Sequence, residues 1–347
     1  MSLDPDIASD QQAGCLPPRE RYDLVGHDEA ENAFNHAWQS GRIHHAWLIT
    51  GPKGIGKASF AWRAARRILG AARDGSYGVL GSHPQDPVCR TLEAAANPDM
   101  LVIRRPFDEK RKRWRAEVTI EEARKASSFF EKSAGAGGWR VCLVDAADDM
   151  NVNSANALLK TLEEPPQRGI LFLISHSPGR LPATIRSRCR KLTLSAPDEA
   201  VSARWLQEQS GIESEEAARL ALARCGNAPG RALALAASGG LPVYESVDRF
   251  IASADRSDDA SARGLAESVT ARGKDGLLPI FFDALSAAIQ VQARETAKRS
   301  ADPQYWLKAW QELSRLVRDA DALYLDPRQT VLAALSLSRR AAQQTRA

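Results

Sequence analysis

One stretch decides the fold of this chain: Ile43-His44-His45-Ala46-Trp47-Leu48-Ile49-Thr50-Gly51-Pro52-Lys53-Gly54-Ile55-Gly56-Lys57-Ala58-Ser59-Phe60. A short apolar run predicts a buried strand, residues 51–56 predict a glycine-rich loop, and a helical pattern begins after Lys57. Glycines let backbone N–H groups converge on phosphate oxygens, the start of the helix adds its positive dipole end, and Lys57 can reach the outer phosphates. The pattern predicts a phosphate loop that binds a nucleoside triphosphate; the alternative is an ordinary glycine-rich turn. The residues expected to contact the nucleotide are Gly51, Pro52, Lys53, Gly54, Ile55, Gly56, Lys57, Ala58 and Ser59.

Position 58 departs from the phosphate-loop pattern. That pattern has Ser or Thr directly after the lysine, because the hydroxyl is a ligand of the magnesium ion that neutralises the phosphates. This chain has Ala58 there, and Ser59 is rotated by about 100° around the helix, so Ser59 should not replace the missing hydroxyl. We expect a site that can hold ATP or ADP, with weak support for Mg²⁺, and that is poorly equipped for hydrolysis.

Length and composition indicate a globular protein of two or three domains. The chain has 347 residues, of which 44% are hydrophobic and 26% charged, and no apolar run is long enough to cross a bilayer. The N-terminus lacks the basic-then-apolar order of a secretory signal, so we expect a cytoplasmic location without membrane contact. The five cysteines are scattered, so neither a disulfide framework nor a zinc site is expected. A net charge of +4 permits a nucleic-acid partner without arguing for one.

Further short apolar runs alternate with helical patterns and predict an α/β fold with a parallel sheet. They are residues 100–103, 139–145 and 170–175. Asp145 ends the second of these runs, where phosphate-loop NTPases place the carboxylate that orders magnesium and its water. Ala146 stands where an acidic residue would activate that water. Ser175 ends the last run, close to where a γ-phosphate would lie.

The segments around these strands are predicted as follows. Residues 1–20 are expected to be a flexible leader and residues 28–39 a helix, while residues 70–98 look like an insertion or a long loop. His83 and Cys89 lie in that loop and are a weak metal pair. The helix after the phosphate loop is expected to carry Arg63, Arg66 and Arg67 on its outer side.

A basic run occupies residues 104–115, with seven basic residues against two acidic ones and Trp114 among them. It could contact a phosphate backbone, with Trp114 stacked on a base, but such a run is more often a solvated loop. Thr119 is a plausible N-cap for the helix that follows, with Glu122 three residues later. From about residue 197 no strand pattern recurs, which predicts a small helical lid and then a helical bundle.

Several segments together resemble the delta-prime subunits of the bacterial DNA polymerase III clamp loader, a branch of the AAA+ ATPases. The segments are residues 44–48 before the phosphate loop, Asn153 to Pro166, Ser175-His176-Ser177-Pro178 and Ser187-Arg188-Cys189. The resemblance covers roughly residues 20–240. It implies an AAA+ phosphate-loop domain at residues 21–196, a lid at 197–241 and a helical collar at 242–347.

The resemblance also implies roles that residue patterns alone do not provide. In this family the Ser-Arg-Cys arginine reaches the nucleotide of the neighbouring subunit, so Arg188 is expected to be an arginine finger in trans. Ser175 and Arg231 match the first and second sensor positions. The implied partners are gamma/tau and delta subunits in a hetero-pentameric ring, together with the sliding clamp and primed DNA.

Three functions remain open from the sequence. The chain can be a stator subunit with weak or no ATPase activity that helps to load a sliding clamp. It can be a gamma- or tau-type motor in which Ser59 replaces the missing hydroxyl, or a scaffold that needs no nucleotide. The motor relatives keep Gly-Lys-Thr, an Asp-Glu pair and a four-cysteine zinc module, whereas this chain has Lys57-Ala58 and Asp145-Ala146 and lacks that module, which favours the first reading.

Overall fold

The computed structural model describes residues 15–110, 113–132, 138–209, 212, 214–256, 258–272, 276–323 and 325–346. These residues form two compact units, one ending at Ala234 and the other beginning at Leu235. The domain boundaries expected at residues 197 and 242 stay predictions.

The first unit is built on parallel strands. The strands of the described residues are β1 (Ala46–Thr50), β2 (Met100–Ile103), β3 (Phe107–Asp108), β4 (Arg113–Trp114), β5 (Arg140–Val144), β6 (Gly169–Ser175) and β7 (Arg190–Thr193). Five of them form one parallel sheet in the order β2-β5-β6-β1-β7, and β3 pairs with β4 as a small antiparallel hairpin. Because β1 pairs with β6 in the register Thr50↔Ser175, the phosphate loop and the end of β6 lie at the same edge of the sheet. The predicted parallel α/β fold is confirmed.

Helices accompany this sheet and follow it. They are α1 (Asp28–Gln39), α2 (Lys57–Ile68), α3 (Pro87–Glu93), α4 (Ile120–Phe130), α5 (Val152–Glu163), α6 (Ala183–Arg186), α7 (Glu199–Gln207), α8 (Glu215–Arg224) and α9 (Pro229–Ala237). Thr119 caps α4 as predicted, its hydroxyl accepting from Glu122 N at 3.4 Å. The helix α5 ends at Glu163 because Pro165 disfavours helical backbone in the residue before it and cannot donate a helical hydrogen bond itself.

Two apolar cores explain why β1 is a continuous apolar run. Trp47 and Ile49 point into one core with Phe34, whereas Ala46 and Leu48 point into the other. Successive side chains of a strand lie on opposite faces, so a strand covered on both faces must be apolar throughout. The helices on both faces thus set the composition of the strand that leads into the phosphate loop.

Two arginines of α2 lie inside the protein, so the prediction that they point outward was wrong. Arg63 and Arg66 are 2% and 1% exposed. Arg66 donates to the carbonyl oxygens of Arg19 (2.5 Å) and Arg21 (2.7 Å), and its guanidinium lies 3.9 Å from the ring centre of Tyr22. Buried guanidinium groups need such acceptors, and the chain ahead of α1 supplies them.

Parts of the predicted leader and of residues 70–98 have regular structure. Residues 1–14 lie outside the described part, whereas residues 18–20 form a 3₁₀ turn in which the carbonyl oxygen of Arg19 accepts from Arg66. The flexibility of residues 1–20 stays a prediction. The stretch 70–98 is not simply a long loop, because it contains α3. Asp86 caps α3 by accepting from Val88 N at 2.8 Å, and Pro87 occupies the first helical position, which proline favours.

The second unit is helical throughout its described part, as predicted. Its helices are α10 (Leu241–Ala252), α11 (Asp259–Thr270), α12 (Leu277–Lys298), α13 (Gln304–Leu323) and α14 (Pro327–Arg346). Phe281, Leu285 and Leu313 are buried, which agrees with the apolar stripes in the sequence. Among the described helices, none is both long and apolar enough to span a membrane.

Candidate functional site

The phosphate loop takes a conformation that requires glycine at its two ends. Gly51 has φ 145° and Gly56 has φ 101°, both in the region that side chains disfavour. A Cβ atom at Gly51 would lie 2.2 Å from the carbonyl oxygen of Leu194, and one at Gly56 would lie 2.7 Å from Leu24. The close approach of neighbouring chain segments therefore explains these glycines.

Lys57 is buried at the centre of the loop, with only 3% of its surface exposed. Its Nζ donates to the carbonyl oxygens of Gly51 at 2.7 Å and Pro52 at 2.6 Å. Burial lowers the pKa of Lys57 to about 8, and the negative charges of Asp145 and Asp148 oppose that shift. The ammonium group is thus satisfied by the loop itself, and a phosphate would have to compete with these two carbonyl groups.

The position after the lysine carries no oxygen for a magnesium ion. Ala58 packs against the apolar core that contains Phe60. Because α2 begins at Lys57, Ser59 is already a helical residue and lies about 100° further around the axis. The loop conformation and Lys57 therefore fit phosphate groups, but position 58 does not fit the magnesium ion that hydrolysis requires.

Next to Lys57, one carboxylate holds the end of β6. Asp148 Oδ1 accepts from Ser175 Oγ at 2.8 Å and from Ser177 N at 3.1 Å, while Oδ2 accepts from His176 N at 2.5 Å. Sequence reasoning pointed to Asp145 and Ser175 and missed Asp148. An acidic residue four positions after the end of β5 was the available signal, but its partners at the end of β6 could not be read from the sequence.

Asp145 and His176 complete this part of the site. Asp145 directly follows β5 and is 7% exposed, so it lies at the predicted strand end. Burial and, to a lesser degree, the positive charge of Lys57 lower the pKa of His176 to about 4. At neutral pH His176 is therefore uncharged, and its backbone N–H donates to Asp148.

The following helices reach the phosphate loop through α9. Gly230 N donates to the carbonyl oxygen of Gly54 at 2.8 Å, and a Cβ atom at Gly230 would lie 2.9 Å from that oxygen. Arg231, the predicted second sensor, follows this contact in the first turn of α9. The backbone next to Arg231 therefore contacts the phosphate loop.

His27 supports the loop from the other side. Its Nε2 lies 2.6 Å from the carbonyl oxygen of Ile55, and burial lowers the pKa of His27. A neutral imidazole with its proton on Nε2 can donate to that oxygen. The sequence did not single out this residue, because its partner lies 28 positions further along the chain.

Arg188 has its contacts elsewhere, at the end of α5. Its Nη2 lies 2.9 Å from Glu163 Oε1, and its Nη1 donates to the carbonyl oxygen of Thr184 at 2.9 Å. The Arg188 side chain is 37% exposed, so the guanidinium is held on one side and open to solvent on the other. Because the guanidinium of Arg188 is already partly exposed, it can contact a second molecule without a rearrangement that exposes it.

The basic run forms the β3–β4 hairpin, apart from residues 111–112, which lie outside the described part. Trp114 packs edge-on against Phe107 with ring centres 5.2 Å apart, and Arg104 lies 6.0 Å from its ring centre. Arg105 pairs with Asp149 at 3.2 Å. Contact with a nucleic-acid backbone and a solvated surface both stay hypotheses for this run.

The weak metal pair is not brought together with further ligands. Cys89 is buried in α3, and His83 packs edge-on against Tyr77 at 5.9 Å. Within the part of the chain that the structure describes, no group of three or more His, Cys, Asp or Glu side chains is placed to hold a metal ion.

Comparisons with known proteins agree with this arrangement. A family model described as "DNA polymerase III, delta subunit" matches residues 26–198, which include the sheet, the phosphate loop and Arg188. The chain is 38% identical over 185 residues to the DNA polymerase III subunit delta' of Pseudomonas aeruginosa. The chain belongs to this DNA polymerase III subunit family. The match covers 53% of this chain and 53% of the Pseudomonas protein.

Two further relatives and one solved structure are similar to this chain. The delta' subunit of Escherichia coli strain K12 is 34% identical over 199 residues, covering 57% of this chain and 56% of that protein, so the chain spans about half the length of the curated relatives it matches. The tau/gamma subunit of Haemophilus influenzae is 29% identical over 60% of this chain and 29% of its own length. A solved gamma subunit-related protein of Thermotoga maritima covers 90% of this chain and 99% of its own, at 16% identity and a TM-score of 0.49.

Proposed function

We propose that this chain is a delta-prime-type subunit of the DNA polymerase III clamp loader, an AAA+ subunit that does little or no ATP hydrolysis of its own. The observation that carries the proposal is the combination of Lys57, bound to the carbonyl groups of its own loop, with Ala58 at the magnesium position. Family membership supplies the context. In this role the chain works in the cytoplasm beside gamma/tau and delta subunits, in a hetero-pentameric ring that places the sliding clamp on primed DNA.

A nucleotide in this site would be a structural ligand. Residues 51–57 would hold the phosphates of ATP or ADP, because their backbone N–H groups and Lys57 are the donors of a phosphate loop. The bound nucleotide would supply negative charge that draws Lys57 away from the two carbonyl groups it now contacts. Position 58 offers no hydroxyl as a magnesium ligand, and position 146 offers no acidic side chain to activate water next to Asp145.

Arg188 provides the chain's contribution to chemistry in a neighbour. A guanidinium that reaches the γ-phosphate of another subunit stabilises the charge that develops in the transition state, and such arginines are worth about 10³–10⁵ in rate. Arg188 suits this role because it is partly exposed and anchored by Glu163 and Thr184. Hydrolysis then depends on assembly, because the arginine and the nucleotide belong to different subunits.

The experiment compares Arg188→Ala with Arg186→Ala in a loader reconstituted with gamma/tau and delta subunits. Arg186 is an exposed arginine at the end of α6, two residues before Arg188, and serves as the matched control. Arg188→Ala should leave folding of the chain intact and lower the ATPase rate of the loader, by less than the single-site factor because other sites continue to turn over. Arg186→Ala should not change the rate. A loader that carries Arg188→Ala and hydrolyses ATP at the wild-type rate would refute the proposal.

Measurements on the isolated chain distinguish the proposed function from two others. An ATP turnover of about 1 s⁻¹ or faster would make it a motor like the tau/gamma relatives, since that is ordinary enzyme speed. The carbonyl contacts of Lys57 favour the second candidate, a scaffold that needs no nucleotide. Titration calorimetry that detects no ATP or ADP binding would support the scaffold, whereas binding without turnover would support the proposed passive subunit.

A further inference from the structure

We propose that Asp148 is a built-in anion at the nucleotide site, which binds the donors at the end of β6 and thereby weakens nucleotide binding to the phosphate loop. The inference deepens the proposed function, because it names a residue that keeps this site passive. It adds a determinant that is independent of the two missing catalytic groups at positions 58 and 146.

The first step is the geometry around the carboxylate. Two successive backbone N–H groups, from His176 and Ser177, and the hydroxyl of Ser175 converge on Asp148. Successive N–H groups that converge in a turn form a site for anions, and phosphate oxygens bind to such sites as carboxylate oxygens do. Both oxygens of Asp148 are engaged, so the chain's own carboxylate takes the place that an external anion would take.

The second step is the position of this anion relative to the phosphate loop. The charge of Asp148 opposes the burial-induced lowering of the pKa of Lys57, and it acts in the same way on His176. Asp148 therefore lies within electrostatic range of the group that would contact the outer phosphates. In addition, Nδ1 of His176 is buried without a hydrogen-bond partner among the described residues, so a polar ring atom is left unsatisfied at this point.

The third step is the consequence for a ligand. A nucleotide brings several negative charges to Lys57, and like charges that are close together in a partly buried site repel each other strongly. Asp148 also occupies the donors that could otherwise bind the terminal phosphate. Neutralising Asp148 should remove the repulsion and make those donors available, so nucleotide should bind more tightly.

The test compares Asp148→Asn with Asp149→Asn in the full chain. Asp149 is the adjacent residue and contacts Arg105 at 3.2 Å, so both variants remove one negative charge from the same turn. Titration calorimetry with ATP and with ADP measures the affinity. Asp148→Asn should bind ATP about tenfold more tightly than the wild type, a change of about 1.4 kcal/mol, and Asp149→Asn should not. Affinity of Asp148→Asn equal to or weaker than the wild type would overturn the proposal.

A second variant covers the case in which the amide does not fit. Asp148→Ser is neutral and its hydroxyl can still accept one of the backbone N–H groups, so it should bind ATP more tightly as well. If both variants fail to fold while Asp149→Asn folds, the carboxylate is a structural cap and the proposal is wrong. A normal loss of loader ATPase in Arg188→Ala, combined with unchanged ATP affinity in Asp148→Asn, would reject this inference and leave the proposed function standing.

Discussion

The buried ion pair between α1 and α2 allows the most quantitative prediction. Arg63 Nε lies 2.5 Å from Glu31 Oε1, Arg63 Nη2 lies 3.1 Å from Oε2, and each side chain is 3% exposed. Oε2 also accepts from Leu80 N at 3.2 Å, and Arg63 donates further to the carbonyl oxygens of Tyr22 and Tyr77. One pair therefore connects α1, the helix after the phosphate loop and the segment that precedes α3.

Replacing Glu31 with alanine should cost about 3–5 kcal/mol of the free energy of unfolding. The change leaves the Arg63 guanidinium buried without its counter-ion, and removing one partner of a buried pair costs about that much. The N–H of Leu80 also loses its acceptor, which adds a desolvation penalty in the same direction. A loss of this size is a large fraction of the stability of an ordinary domain.

Urea unfolding followed by tryptophan fluorescence and far-UV circular dichroism measures this loss. Glu29→Ala is the control, because Glu29 is exposed in the same first turn of α1 and should change stability by only about 0.5 kcal/mol or less. The double variant Glu31→Met/Arg63→Met should recover much of the loss, since an apolar pair of similar volume leaves no buried charge. A loss below about 1 kcal/mol for Glu31→Ala, with an unchanged dependence on urea, would refute the reasoning.

Three further predictions concern the loop, the core and Arg188. Burial lowers the pKa of Lys57 from 10.5 to about 8, so between pH 8 and 10.5 the unfolded chain binds more protons than the folded chain. The stability of the wild type relative to Lys57→Met should therefore rise with pH across that range. A difference in urea midpoints that stays constant with pH would contradict this prediction. Phe34→Ala should cost about 3–5 kcal/mol in urea unfolding, because Phe34 is fully buried against Trp47 with ring centres 5.0 Å apart. Glu163→Gln should cost less than about 1 kcal/mol, since this carboxylate and Arg188 are 51% and 37% exposed, and a loss above about 2 kcal/mol would show a larger structural role.

Much of the fold could be predicted from short-range patterns. The apolar run before Gly51, the glycine spacing and the helix from Lys57 are local features, and each is governed by backbone sterics or by periodic burial over a few residues. The same holds for α1, whose predicted bounds of 28 and 39 agree with the structure. The departure at Ala58 was also evident, because one residue type at one position either carries a hydroxyl or does not.

Long-range packing decided what surrounds the loop. A helical pattern alone suggested that Arg63 and Arg66 face solvent. In the structure residues 19–22 pack against α2, and their backbone carbonyl oxygens accept hydrogen bonds from both buried side chains. The contacts of Asp148 with the end of β6 and of Gly230 with Gly54 join residues that are 27 to 176 positions apart in the chain. The sequence by itself determined which chemical groups the phosphate loop contains and which it lacks, because these are properties of single residues. Only the tertiary structure decided which groups contact them, since hydrogen bonds and charges act over a few ångströms in space and not along the chain.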